Sequence, residues 1–385
     1  MKIITTQLSA LLLGLSITAV THVNAEPVKN APSASNSSIQ VETNNRYAHS
    51  LYSPFDLLNL TGQEYTLKLN DIELSEQAQR PLMYDISYTK WTPWRSNGQT
   101  IIYNHGFQSH KDWFNFTAEY LSVLGYTVYA FDRIGSGRSS GGITLHKDLS
   151  NTTQPVIQPG HINNWKTWTW TLDQVVTLAH QDIPENSITI WGNSFGAHIV
   201  TAYMNQYAPS NVSQAVFTTP GLFVDLPLPF TLEEFVTKQP YDYFPSSIPE
   251  TEGDQGGNYF TQDPIYLWSI RHDQRSLREV TQSFYYAVVG IGQYNLSREA
   301  MNNDPLSNYP RFYLLAEQDT MMNNTKTLAY INRSPENAVA KFYRALDNKH
   351  FISFSSDMEQ AVLDIHDFLN GRDIDEQEVL EYIEQ

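Results

Sequence analysis

The 385-residue chain contains no cysteine. That excludes disulfide cross-links, thiolate metal sites and a cysteine nucleophile together, so stability must come from a packed core. Positive charge is scarce: 24 Lys and Arg stand against 41 Asp and Glu, a net charge of −17. Nucleic acid is excluded as a partner on that ground, because phosphate binding needs a basic surface. Long apolar runs are lacking too. The run Leu11–Val20 is too short to span a bilayer comfortably, and no other run approaches that length.

What is present begins with an export pattern. Lys2 supplies a basic start, the apolar run follows, and Val23-Asn24-Ala25 has the small-x-small form of a cleavage site. Residues 1–25 are therefore expected to be a signal peptide, which implies a periplasmic or secreted product. With no cysteine after the run, a lipid-anchored form is excluded. Residues 26–60 follow as a polar leader, of which 26–50, rich in Ser, Asn and Ala, reads as flexible. At the other end, 371–385 is an acidic tail, read as solvated. Asn-x-Ser/Thr triplets at Asn36, Asn59 and Asn115 are what an Asn-rich chain gives by chance.

Between these ends the hydrophobic period alternates. Leu82–Tyr88 and Thr100–Tyr103 read as strands. Ser109 and Asp112 have capping-box spacing, and Trp113, Phe116, Tyr120 and Leu124 follow at helical intervals to a stop at Gly125. Tyr126–Phe131 is a strand. Trp165, Trp168, Leu172, Val175 and Ala179 mark a helix, Ile188–Trp191 a strand, Phe195–Tyr207 a helix and Gln214–Thr218 a strand. The rhythm breaks over 222–305, rich in Pro and aromatics, with one helical candidate near Ser276–Val289. It resumes with strand Phe312–Ala316, a helix near Thr320–Ile331, strand Ala340–Leu346, and a helix through Met358, Val362, Ile365 and Leu369, closed by Gly371. Such alternation predicts an α/β fold: a mostly parallel central sheet with helices on both faces. Its core would comprise 61–221 and 306–370, with 222–305 a cap inserted over the sheet's carboxyl edge. Residues 137–159 read as a polar loop. No internal repeat is visible.

One corner carries chemistry. Gly192-Asn193-Ser194-Phe195-Gly196 is G-x-S-x-G, placed between a strand and a helix. The glycines allow a turn so tight that Ser194 is forced outward at the helix's positive end. A serine hydroxyl needs a base, and in this arrangement the partners follow in the order Ser, acid, His. His350 lies in the loop after the last strand and fits that place. His198 shares the serine's helix, His272 lies in the insertion and His366 on the last helix. For the acid, Asp319 sits in the loop after Phe312–Ala316; Glu317 at the strand end and Asp347 beside His350 are the alternatives. His105-Gly106 ends an earlier strand, so Phe107 and Phe195 are expected to supply the two backbone N–H groups of an oxyanion hole.

With these residues the sequence resembles the α/β-hydrolase superfamily, in its monoacylglycerol lipase and lysophospholipase branch, also called the serine aminopeptidase-like hydrolases. The likeness runs from about 82 to 370. "HGFQSHKDWF" resembles its H-G-x-x-x-H segment, with His110 as second histidine. "FDRIGSGRSSG" is similar to its D-x-x-G-x-G-x-S turn over Asp132 to Ser139, "GHINNW" to a helix start, and "YFTQDP" to a Thr/Ser-x-Asp-Pro feature of the cap. Asn193 replaces the usual histidine before the nucleophile. The resemblance implies a triad of Ser194, Asp319 and His350, oxyanion donors Phe107 and Phe195, and no metal or cofactor. The implied substrate is a small-molecule or lipid ester such as a lysophospholipid or monoacylglycerol, with transient contact to a membrane surface. His105, Phe223, Phe230, Trp268 and Tyr285 are candidates to line the substrate site; most cap aromatics equally fit a packing role. Two alternatives stay open. Glu233, Glu234, Asp242 and Glu250 in the cap could bind a free amine, as in an aminopeptidase. A binding protein on a hydrolase scaffold would instead be expected to lack a triad member. The oligomeric state is not fixed by the sequence.

Overall fold

The computed structural model describes residues 40–43, 51–147, 153–246, 259–297 and 304–374. The expected signal peptide, the leader over 26–39 and 44–50, Glu250 and most of the acidic tail lie outside the described residues.

Strands β1 (Gln40–Thr43), β2 (Gln63–Asn70) and β3 (Met83–Trp91), with helix α1 (Ile72–Ala78), make an antiparallel flank. Then come β4 (Gln99–Asn104), α2 (Asn115–Val123), β5 (Thr127–Phe131), β6 (Gly142–Lys147), β7 (Thr153–Gln158), α3 (Lys166–Asp182), β8 (Ser187–Asn193), α4 (Phe195–Tyr207) and β9 (Val212–Thr218). The segment between β9 and β12 holds α5 (Leu232–Thr237), β10 (Tyr243–Pro245), α6 (Pro264–His272), β11 (Glu279–Thr281) and α7 (Gln282–Asn295). The chain closes with β12 (Arg311–Ala316), α8 (Asn324–Ile331), β13 (Ala338–Tyr343) and α9 (Met358–Leu369). The main sheet runs β1-β2-β3-β5-β4-β8-β9-β12-β13, and the strands from β5 to β13 in that order are all parallel.

A parallel strand covered on both faces needs apolar residues at successive positions. Ile101, Tyr103, Trp191, Val216 and Phe312 meet Ala118 and Leu121 of α2 and Val362 and Ile365 of α9 on one face. Their neighbours Ile102, Ile190, Phe217 and Tyr313 meet Trp168, Leu172 and Val175 of α3 and Ile199 and Tyr203 of α4 on the other. Each fully buried side chain of this kind contributes about 1.5–3 kcal/mol relative to exposure. The fold is that expected.

Several local expectations are corrected. Part of the stretch read as flexible is ordered, since Gln40–Thr43 pairs with β2; beyond it a 3-10 turn at Pro54–Leu58, capped by Ser53, buries Phe55 against Trp113 (5.1 Å) and Phe354 (5.2 Å). The polar loop over 137–159 contains the antiparallel hairpin β6–β7. Ser109 and Asp112 form no capping box. A 3-10 turn over Lys111–Phe114 follows His110 instead, because the Asp112 carboxylate is committed to Lys111, Arg138 and Arg275. In the insertion the helix starts at Gln282 rather than Ser276, since Glu279–Thr281 pairs with β10 and the Thr281 hydroxyl caps the helix. Helix α8 starts after Asn323 because residues 319–322 form a turn around the Asp319 carboxylate.

Candidate active site

β8 ends at Asn193 and α4 begins at Phe195, so the change of direction falls on Ser194 alone. Its backbone sits at φ 50°, ψ −118°, a conformation that costs about 1–3 kcal/mol and persists only where surroundings impose it. The glycines permit the closeness that imposes it. A Cβ on Gly196 would lie 2.1 Å from the Asn104 carbonyl oxygen, and one on Gly192 2.8 Å from the Ala197 Cα. The Ser194 N–H donates to the Thr218 carbonyl (2.9 Å), and its own carbonyl accepts from the Gly221 N–H (2.9 Å). The strained turn is thus tied to the end of β9 and the loop after it.

Segments following three strands of the one sheet, β8, β12 and β13, converge on the hydroxyl. Ser194 Oγ lies 2.8 Å from His350 Nε2, and His350 Nδ1 lies 2.6 Å from Asp319 Oδ2. Asp319 Oδ1 accepts the N–H groups of Met321 (2.8 Å) and Met322 (3.1 Å), which fixes the carboxylate. An ionised carboxylate only accepts, so the imidazole proton sits on Nδ1 and the Nε2 lone pair faces the serine hydroxyl. The His350 and Asp319 side chains are closed off from solvent, while Ser194 keeps 8% exposure. The loop after β13 that carries His350 is held by the insertion: the N–H groups of His350 and Phe351 both donate to the Phe260 carbonyl (3.0 and 2.8 Å).

The loop after β4 supplies the fourth side. The Phe107 and Phe195 rings meet edge-on at 5.7 Å. Phe195 opens α4, so its N–H has no partner inside the helix; the Phe107 N–H has no backbone partner among the described residues. His105, expected against substrate, is fully buried and bonds to protein instead. Its Nδ1–H donates to the Gly106 carbonyl (2.9 Å) and its Nε2 accepts the Arg133 N–H (3.2 Å). Burial, with Arg133 close by, holds this imidazole well below its usual pKa.

The other expected substrate residues divide. Tyr285 stands 6.1 Å from Phe107 and joins Phe230, Phe235 and Phe244 in one aromatic cluster leading away from the oxyanion loop. Phe223 lies beside the Asp319 loop, its carbonyl accepting from Asn323 N–H and its ring 6.3 Å from Tyr330. Trp268 does not join them: it stands half exposed on α6, stacked on His272 at 4.4 Å. Among the remaining candidates, His198 bonds to Asn295, and burial pushes its pKa down to about 4. His366 meets the Tyr126 hydroxyl (2.9 Å), Glu317 pairs with Arg344 (3.5 Å) and Asp347 accepts from Ser356 (2.8 Å). Of the cap carboxylates, Glu234 closes a capping box with Thr231, Asp242 accepts the Gln239 N–H (2.8 Å), and Glu233 is exposed.

A buried polar network lies behind the loop after β4, and of its members the sequence singled out only His110 and Asp112. Asp273 Oδ2 accepts from His110 Nε2 (2.8 Å) and Trp113 Nε1 (2.6 Å). Asp112 binds Lys111 (2.5 Å), Arg138 (3.2 Å) and Arg275 (2.6 Å), and Arg275 also reaches Asp56. Burial alone would depress the His110 imidazole, but the Asp273 and Asp112 carboxylates outweigh it and raise its pKa to about 9. Asp273, Arg275 and Asp56 come from the insertion and the leader, which show no periodicity that would pair them. Arg133 had one visible signal, a charge placed directly after the apolar strand end Phe131-Asp132.

Comparison with known proteins gives the family and the fold. A family model described as serine aminopeptidase, S33, matches residues 95–350. A monoacylglycerol lipase of Mycolicibacterium smegmatis is 28% identical over 137 residues, a match covering 36% of this chain and 43% of that protein. The chain thus spans less than half the length of that curated relative. Among solved structures, a thermostable carboxyl esterase of Bacillus coagulans superposes with a TM-score of 0.60 at 16% identity, covering 81% of this chain and 99% of the other. The monoacylglycerol lipase of Paleococcus ferrophilus gives 0.57 at 14% identity, with 74% and 98% covered. At such identities the superpositions speak for the fold.

Proposed function

Because the chain belongs to the serine aminopeptidase, S33, family of α/β-hydrolases, we propose that it is an exported serine hydrolase cleaving carboxylic esters of one acyl chain, such as monoacylglycerols or lysophospholipids. The observation that carries the reading is the unbroken relay Ser194–His350–Asp319, with contacts of 2.8 and 2.6 Å. His350 takes the Ser194 proton as Oγ attacks the ester carbonyl. Asp319 holds the imidazole in the productive tautomer and stabilises the imidazolium that forms. The carbonyl oxygen becomes an oxyanion held by the Phe107 and Phe195 N–H groups, at the positive end of α4. His350 then returns the proton to the leaving alcohol. Water, deprotonated by the same imidazole, attacks the acyl-enzyme and frees Ser194.

The acyl preference is supported by the aromatic cluster of Tyr285, Phe230, Phe235 and Phe244 next to Phe107. Recognition of a free amine finds less support, since Glu234 and Asp242 are engaged in local capping bonds. Export is supported by Lys2, Leu11–Val20 and Val23-Asn24-Ala25.

The test is a panel of p-nitrophenyl acyl esters, lysophospholipids, monoacylglycerols and aminoacyl-arylamides against wild type and Ser194→Ala, with fluorophosphonate labelling. Ester turnover and labelling that vanish in Ser194→Ala are expected. Folded wild type that neither labels nor cleaves any ester refutes the reading; cleavage of arylamides alone moves it to a peptidase.

A further inference from the structure

We propose that Arg133 is a positioning residue for the oxyanion-binding loop, its side chain clamping the backbone so that the Phe107 N–H stays presented to the reacting carbonyl. The inference deepens the serine-hydrolase reading above and rests on it.

Arg133 follows the carboxyl end of β5 and is 1% exposed. Its Nη1 donates to the His105 carbonyl, and its Nη2 to the Phe107 carbonyl at 3.3 Å. Its backbone N–H donates to His105 Nε2 at 3.2 Å. That bond leaves the histidine proton on Nδ1, which donates to the Gly106 carbonyl at 2.9 Å. The carbonyls of residues 105 and 107 are therefore held by the Arg133 side chain, and that of residue 106 by the ring that the Arg133 backbone N–H fixes. In a planar trans peptide the N–H points opposite to the C=O. Holding the Gly106 carbonyl toward the His105 ring aims the Phe107 N–H the other way, and holding the carbonyls on either side stops that peptide from turning over. The guanidinium also lies over the Phe195 ring, 5.1 Å from its centroid. One side chain thus backs both expected oxyanion donors.

The cost of this placement argues that the charge has a task. No carboxylate among the described residues pairs with Arg133. The neighbouring Asp132 is occupied by the backbone N–H groups of Lys111 (2.7 Å) and Arg138 (2.8 Å). Nε of Arg133 has no hydrogen-bond partner among the described residues. A buried charge without an ion partner is unfavourable, and an apolar side chain of similar length would fill the same space. Burial lowers the guanidinium pKa, but the group stays protonated over the range in which a buried ammonium titrates. The titratable groups around it are Asp132, His105 and Tyr103. His105 is held neutral, and burial raises the Tyr103 phenol far above its usual range.

Arg133→Met and Arg133→Lys, checked for folding by thermal unfolding, are compared with wild type for kcat and KM on a p-nitrophenyl ester and for the rate of fluorophosphonate labelling. Arg133→Met is expected to lose about 100-fold in kcat, the effect of losing one oxyanion donor, with KM within about threefold and slower labelling. In Arg133→Lys the buried ammonium sheds its proton more readily than a guanidinium. Its kcat relative to wild type should fall as pH rises from about 7 to about 9. A purely structural arginine would lower the melting temperature and leave that ratio flat. Folded Arg133→Met with kcat within about threefold of wild type overturns the proposal. So does a flat ratio for Arg133→Lys, which decides the matter if Arg133→Met does not fold. Wild type that neither labels nor cleaves esters sinks the hydrolase reading itself, and the inference falls with it; wild type that does both while the variants match it sinks the inference alone.

Discussion

Replacing His110 by glutamine removes a titrating group from the network that ties the loop after β4 to the insertion. The imidazole is fully buried and faces Asp273 through Nε2 (2.8 Å) and Asp112 through Nδ1 (3.3 Å), with Lys111, Arg138 and Arg275 gathered on Asp112. Its pKa is raised from 6.5 to about 9 in the folded protein. A group with a raised folded pKa stabilises fully below its unfolded pKa, and that stability is lost as pH climbs through the folded value. At 1.36 kcal/mol per pKa unit, the contribution is about 3 kcal/mol below pH 6.5, and about 2 kcal/mol of it disappears between pH 7 and pH 9. Urea unfolding of both proteins at a series of pH values reads this directly. Wild type should lose about 2 kcal/mol more than His110→Gln between pH 7 and pH 9, although the variant is the less stable at pH 7. Parallel curves for the two proteins over that range would show that His110 binds no extra proton on folding, and the reasoning would be wrong.

Ser194→Ala should lower kcat by about 10⁶-fold with binding of substrate retained, measured by initial rates and by equilibrium binding of a product. Asp319→Asn should cost about 10⁴-fold in kcat, since the histidine tautomer is no longer imposed. Gly196→Ala places a Cβ 2.1 Å from the Asn104 carbonyl oxygen, so soluble yield or activity should be lost; a folded, fully active variant would contradict the described turn. Trp268→Ala should change stability by no more than about 0.5 kcal/mol and leave kcat/KM unaltered, because the ring stands on the outside of α6. If the export reading is right, Edman sequencing of the protein recovered from the host's periplasm or medium should begin at Glu26.

The parallel core was legible because its signals are local. Phe195–Tyr207 is helical over the predicted span, and the strands around residues 100, 128, 190, 216 and 314 are apolar runs that only a sheet covered on both faces requires. The parts read less well are those where a side chain chose a distant partner over a local one. Asp112 could have closed a box with Ser109, and binds Lys111, Arg138 and Arg275 instead. Phe55 sits in a stretch without periodicity, and its burial is made by the aromatic surface of Trp113 and Phe354. Trp268 had the composition of a lining residue, but the face of α6 it occupies cannot be read from a segment without periodicity.

By itself the sequence determined the order of the parallel strands and their helices, the strand–turn–helix corner at Ser194, and the placing of Asp319 and His350 in loops after their strands, because hydrophobic period and glycine sterics act within a few residues. The tertiary structure decided which carboxylate meets which imidazole, which carbonyls Arg133 holds, and which aromatics gather beside Phe107. Those are choices between groups far apart in the chain, made by packing and by the cost of leaving a buried charge or N–H without a partner, and no local pattern encodes them.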